Sequence, residues 1–64
     1  MGKLIPFEEI CVGMLVADLD HEFGIGTVKE CKDIHNVFVQ YVNGASGLYC
    51  LDPNCDDYDP LCYL

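Results

Sequence analysis

Apolar and polar residues alternate along most of this chain, and the alternation predicts strands rather than helices. Segments with a period of two are separated by Gly, Asn and Asp, and no segment keeps the 3.6-residue period of a long helix. Strands are predicted over residues 14–19, 27–31, 37–42, 48–51 and 61–64. A single helical turn is predicted over 6–10, because Pro6 and two acids suit a helical start. We therefore expect an all-β chain.

The segment 37–42 is the clearest strand, since it is rich in β-branched and aromatic residues and carries no charge. Its side chains alternate between the two faces of a sheet, yet both sets are largely apolar. This pattern predicts a strand with the core on one side and a partner or a loop on the other. The Asn43-Gly44 pair that follows predicts a tight turn.

Glycine and valine spacing adds a fold-level likeness. The motifs are, in order, Val12-Gly13-Met14-x-Val16, Gly24-x-Gly26-x-Val28 and Val37-x-Val39-x-Tyr41. Their succession over roughly residues 7–51 resembles the small SH3-like barrels, particularly the KOW and Tudor-like groups. The resemblance implies a small five-stranded, strongly bent antiparallel SH3-like β-barrel, and the length of the chain limits it to one domain over 1–64. A short N-terminal helical turn and an irregular acidic C-terminal segment would flank it.

Charge and hydropathy narrow the class of function. Eleven acids against three Lys or Arg give a formal net charge of −8, which would repel a phosphate backbone and argues against direct nucleic-acid binding. The uncharged run over 10–17 is too short for a membrane span, and Glu8 interrupts any signal-peptide core. We therefore expect a cytoplasmic protein with no membrane contact. With 52% hydrophobic residues in so short a chain, some apolar surface must stay exposed for a partner or a homo-oligomer.

Five cysteines are present, and an odd number without a secretory signal favours reduced thiols over a disulfide framework. A zinc site is the alternative, because Cys50-x4-Cys55 is followed by Cys62 and preceded by Cys31-x3-His35. Free thiols in apolar stretches are favoured, so no cofactor is predicted. Cys31 and His35 could also serve as nucleophile and base, but no third group accompanies them, and no enzyme is predicted.

The segment 52–59 concentrates four carboxylates in eight residues. It departs from a calcium-binding loop, because Asp57 stands where Gly is needed and Tyr63 where Glu is needed. We interpret it as an acidic surface that steers a basic protein partner, with aromatic anchors beside it. The predicted partner-binding residues are Phe38, Tyr41, Tyr49, Asp52, Asp56, Asp57, Tyr58 and Asp59.

The predicted function is thus a small acidic protein-binding module, an adaptor or inhibitor of a basic protein. One alternative is a metal- or small-ligand-binding module, in which a histidine joins Cys50, Cys55 and Cys62, or the Asp cluster holds the ion. Another follows from the Tudor-like resemblance, which implies an aromatic cage for a cationic side chain. Its walls would come from Phe23, Phe38 or Tyr41, and Tyr49, with Asp20 or Asp52 as the charge partner.

Overall fold

A computed structural model describes residues 3–64, and it is mostly β, as the alternation predicts. A 3₁₀ turn, η1, covers Phe7–Glu9 and lies within the predicted helical turn. Each strand lies at or within two residues of a predicted one. The strands are β1 (Leu15–Asp18), β2 (Gly26–Cys31), β3 (Val37–Tyr41), β4 (Ser46–Tyr49) and β5 (Leu61–Tyr63). Within 3–64, no helix has the length and apolar character needed to cross a membrane.

All strand pairs are antiparallel, and the order across the sheet is β4-β3-β2-β1-β5. The first four strands form a meander, and β5 returns to pair with β1 through Ala17 and Cys62. The register of β2 against β3 shifts between Val28 and Glu30. Such a bulge bends a strand and increases its twist. The bend lets the meander curve around one core.

The predicted closed barrel is wrong, because the sheet is open. Within residues 3–64, β4 and β5 lie at opposite edges and share no ladder. The outer edge of β5 is occupied instead by the N-terminal segment, where the Ile5 amide donates to Leu61 and the Tyr63 amide donates to Lys3. Between β4 and β5, two prolines cannot donate to a ladder, so this part of the chain crosses without pairing regularly.

One apolar cluster contacts the inner face of every strand. Its buried members are Ile5, Ile10, Val16, Val28, Val37, Val39, Tyr41, Tyr49, Leu51 and Leu61. The absence of a side chain at Gly26 brings β2 against the Tyr41 ring, because a Cβ there would lie 2.7 Å from Tyr41 Cε1 and from Val39 Cγ1. Gly26 is therefore a packing requirement of the core.

Several aspartate carboxylates accept hydrogen bonds from backbone amides in the loops. Asp33 Oδ1 accepts the amide of His35 at 2.9 Å, and Asp52 Oδ1 accepts the amide of Asn54 at 2.9 Å. Asp18 accepts amides two and five residues later and is itself buried. Aspartate commonly closes turns in this way. Some of the acidic side chains therefore help to fix the conformation of the loops.

Candidate functional site

The acidic segment, residues 52–59, adjoins an apolar groove of about 390 Å³. Pro53 and Tyr58 belong to the acidic segment and also line this groove. The other walls include Ile5, Phe7, Ile34 and Leu51. Asp56, Asp57 and Asp59 are exposed, and Asp52 is half-buried. The acidic segment therefore contributes two of its residues to the wall of an apolar groove.

Two of the predicted contact rings lie in the core. Tyr41 and Tyr49 are only 3% and 7% exposed. Their hydroxyl groups hydrogen-bond to each other at 2.6 Å, and their rings meet edge to face with centroids 6.4 Å apart. In this arrangement both rings stabilise the fold and neither presents a free face to a partner.

The environment of this tyrosine pair disfavours ionisation. Burial raises the pKa of Tyr41, and the hydrogen bond with Tyr49 raises it further. Burial also raises the pKa of Tyr49, although its hydrogen bond with Tyr41 acts in the opposite direction. The carboxylates of Asp18 and Asp59 add to the rise at both phenols. The pair is thus a neutral unit of the core.

Phe38 lies on the outer face of the sheet, away from the Tyr41 and Tyr49 pair. It is half-buried and opposes Leu48 of β4 in the ladder. Leu48 is 64% exposed, so the two residues form a small apolar area on the outer surface. The predicted contact residues are consequently divided between an outer face, the core and the acidic segment.

The rings of the alternative aromatic cage are only partly brought together. Phe23 contacts Tyr41 with ring centroids 5.2 Å apart, at 44° between planes, and Tyr41 contacts Tyr49. Phe23 is 38% exposed, whereas the other two rings are buried. The structure places Phe38 on the outer face instead. A cation could reach only Phe23 without a rearrangement of the core.

Asp59 stands near other acids. Burial raises its pKa, and the neighbouring carboxylates of Asp18 and Asp20 raise it further. Its amide donates to the carbonyl oxygen of Cys50 at 2.8 Å, which fixes the end of the acidic segment. This end of the segment is therefore a region of concentrated negative potential.

A second group of chemically active side chains forms where the 32–36 loop meets the end of β4. The Nδ1 atom of His35 lies 3.2 Å from the Sγ atom of Cys50, and Cys55 contributes a second sulfur. The three ligand atoms lie within 4.8 Å of one another. On the other side of the ring, His35 Nε2 is 3.7 Å from Asp52 Oδ2. His35 and Cys55 are 20 positions apart in the sequence, so folding is what brings them together.

Backbone hydrogen bonds hold this group in place. The Leu51 amide donates to the Ile34 carbonyl at 2.8 Å, which joins the 32–36 loop to the chain after β4. Asp33 closes the loop from the other end, and its hydrogen bonds from the Asn36 side chain and the His35 amide lower its pKa. The result places the imidazole of His35 over Cys50.

The cysteine predictions are met only in part. Cys50 and Cys55 are neighbours, as their spacing suggested, but Cys62 is buried on β5 opposite Ala17. The thiol beside His35 is Cys50, whereas Cys31 pairs with Val37 at the end of β2. Local spacing could have indicated Cys50 with Cys55. The contact with His35 depends on the packing of two loops.

No protein-family model matches this chain, and neither the curated proteins nor the solved structures include a match to it. The site must therefore be interpreted from its own chemistry.

Proposed function

We propose that the protein is a small acidic binding module that recognises a basic protein segment carrying an apolar anchor. The observation that carries the proposal is the position of Pro53 and Tyr58, which lie within the acidic segment and also line the apolar groove. Opposite charge accelerates association, and burial of an apolar anchor slows dissociation. One surface supplies both properties.

The partner's chemistry follows from charge complementarity. The chain carries a net charge of −8, and Asp56, Asp57 and Asp59 are exposed in the same short segment that supplies Pro53 and Tyr58 to the groove. Glu8 lines the groove itself and adds a further acidic group there. A Lys- or Arg-rich segment with one Leu or Phe suits this surface. The groove volume of about 390 Å³ admits such a side chain.

The proposal revises the aromatic anchors. Tyr58, which is 39% exposed, remains a contact residue. Phe38 forms a separate outer surface with Leu48, while Tyr41 and Tyr49 support the site from the core. Asp52 is half-buried, and its carboxylate lies beside His35. We further propose a binding role without catalysis and a cytoplasmic location.

For the fold, we propose a distant relation to the small SH3-like group at the level of the five-stranded order alone. The return of β5 to β1 and the bulge in β2 support this relation. The open edge distinguishes this chain from a closed barrel.

The test measures binding of a Lys-rich peptide with a central Leu and of the same peptide with Ser at that position. We expect tighter binding of the Leu peptide, and slower association at higher salt. Asn substitution of Asp56, Asp57 and Asp59 should reduce the association rate about tenfold at low salt and flatten the salt dependence. Equal binding of both peptides would contradict the anchor.

A matched control separates local charge from net charge. Gln substitution of three exposed acids outside the site, Glu9, Glu22 and Glu30, removes the same three charges. We expect this control to retain most of the association rate. If the association rate falls equally in both triple variants, the acidic segment has no special role and the proposal fails.

A further inference from the structure

The group formed by His35, Cys50 and Cys55 adjoins the proposed peptide-binding surface, since Cys55 belongs to the acidic segment, and combines three strong metal ligands. Thiolate and imidazole are the ligands that zinc prefers in proteins. We propose that these three side chains bind one divalent cation of the zinc class. The ligands are the sulfurs of Cys50 and Cys55 and the Nδ1 atom of His35.

The separations agree with a tetrahedral site after small side-chain rotations. Zinc holds sulfur at about 2.3 Å and nitrogen at about 2.0 Å, which places its ligand atoms roughly 3.5–3.8 Å apart. The Nδ1 to Cys50 Sγ distance is 3.2 Å, and the whole trio lies within 4.8 Å. A movement of about 1 Å or less therefore closes the ligand set.

Asp52 supports the imidazole from outside the ligand set. Its Oδ2 atom lies 3.7 Å from Nε2 of His35, on the side of the ring away from Cys50. A ligating histidine usually donates its second N–H to a carboxylate, which orients the ring and increases its basicity. The Asp52 carboxylate can accept that hydrogen bond once it moves slightly closer to the ring.

Burial and access are suited to an ion with three protein ligands and one open position. Cys50 is buried, Cys55 is half-buried, and the His35 side chain is 50% exposed, so an ion can enter from the His35 side. Three protein ligands leave the fourth position for water or another oxygen. Binding converts both thiols to thiolates and releases two protons to solvent.

A bound ion would also help so small a fold. Chains of this length bury a limited core and often need a staple. The ion would join the 32–36 loop, the end of β4 and the acidic segment, which otherwise meet through single hydrogen bonds such as Leu51 to Ile34. It would thus hold the segment that carries Pro53 and Tyr58 against the sheet.

The same residues also resemble a nucleophile with its base, because His35 lies between Cys50 and Asp52. A nucleophilic cysteine needs an accessible thiol with a lowered pKa. Cys50 is 7% exposed. The second sulfur, Cys55, has a place in a metal site and none in the catalytic alternative.

The test is titration of the reduced full chain with Co²⁺, followed by displacement with Zn²⁺ and native mass spectrometry. We expect one metal per chain, a thiolate-to-cobalt charge-transfer band, and the visible spectrum of a tetrahedral ion. Zinc should abolish the cobalt spectrum and raise the melting temperature. A reduced chain that takes up no cobalt, or shows an octahedral spectrum without charge transfer, would overturn the proposal.

Variants assign the ligands. Cys55→Ser and His35→Asn alter partly exposed side chains, so both should fold, and each should weaken zinc at least about 100-fold. The matched controls are Cys11→Ser and His21→Asn, which change an exposed cysteine and an exposed histidine outside the group. Both controls should bind zinc like the unaltered chain. Equal zinc affinity of Cys55→Ser and Cys11→Ser would overturn the assignment. Peptide binding is measured in a separate experiment, so failure of the metal site and failure of the peptide-binding site are distinguishable.

Discussion

The hydroxyl groups of Tyr41 and Tyr49 lie 2.6 Å apart and hydrogen-bond to each other inside the core. The two residues come from adjacent strands, β3 and β4, and each satisfies the polar atom of the other. Among residues 3–64, no buried side-chain N or O atom is left without a partner. The pair therefore lets two large rings fill the core without an unpaired hydroxyl.

Removal of both hydroxyls should cost less than the sum of the two single removals. Tyr41→Phe or Tyr49→Phe leaves the remaining hydroxyl unpaired, and we expect each to lower the free energy of unfolding by about 1–2 kcal/mol. The double Phe variant should lose less than the sum of the two. Urea unfolding of all four proteins measures this coupling, and strict additivity would show that the bond contributes nothing.

The same pair predicts late ionisation in an alkaline titration. The pKa values of Tyr41 and Tyr49 are raised above their ordinary value of 10.0, so the folded state binds these protons more tightly than the unfolded state. The resulting stability is present below pH 10 and is lost as the pH rises above it. Tyrosinate absorbance should show two residues that ionise late, together with unfolding. Early ionisation of all tyrosines in the folded chain would contradict the buried pair.

Gly26→Ala should destabilise the protein strongly. The added Cβ would lie 2.7–2.8 Å from the ring of Tyr41 and from Val39, closer than carbon atoms can pack. We expect a loss of about 1–3 kcal/mol, which for a chain of this size lowers the melting temperature by several degrees.

Gly47→Ala is the matched control for that variant. Gly47 also lies in a strand, but an added Cβ would have ordinary contacts of 3.6 Å or more with Tyr49. Because alanine restricts the unfolded chain more than glycine does, Gly47→Ala should leave the stability unchanged or slightly raised. If both alanine variants melt alike, close packing at Gly26 is not the cause.

Asp59→Asn should stabilise the protein at neutral pH. The pKa of Asp59 is raised above 3.8 in the folded state, so the folded state binds this proton more tightly than the unfolded state does. Ionisation of the carboxyl therefore destabilises the fold as the pH rises through the folded pKa. We expect a gain of no more than about 1 kcal/mol at pH 7, because solvent screens a partly exposed charge. The gain should disappear below about pH 3.8, where both states are protonated.

Thermal unfolding of this variant from pH 3 to pH 8 measures the effect. Asp57→Asn removes the same charge from an exposed position two residues earlier and should change stability little. A gain that is independent of pH, or one equal to that of the control, would exclude Asp59 as its source.

The local pattern of the chain was sufficient for the strands. Alternation over 37–42 agrees with β3 at Val37–Tyr41, and the helical turn predicted after Pro6 agrees with η1. These elements depend on side-chain period and turn chemistry, which are properties of neighbouring residues. The open edge was not predictable in this way, because the choice of partner for β5 depends on where residues 3–5 pack.

The same distinction between local sequence and tertiary contacts applies to the candidate site. Composition alone determined that the chain is strongly acidic, rich in thiols and supplied with more apolar side chains than a small core can bury. Only the tertiary structure decided that Tyr41 and Tyr49 face each other in the core, and that His35 meets Cys50 rather than Cys31. The reason is physical: burial and ligand distance depend on contacts between residues remote in sequence, and the packing of loops sets those contacts.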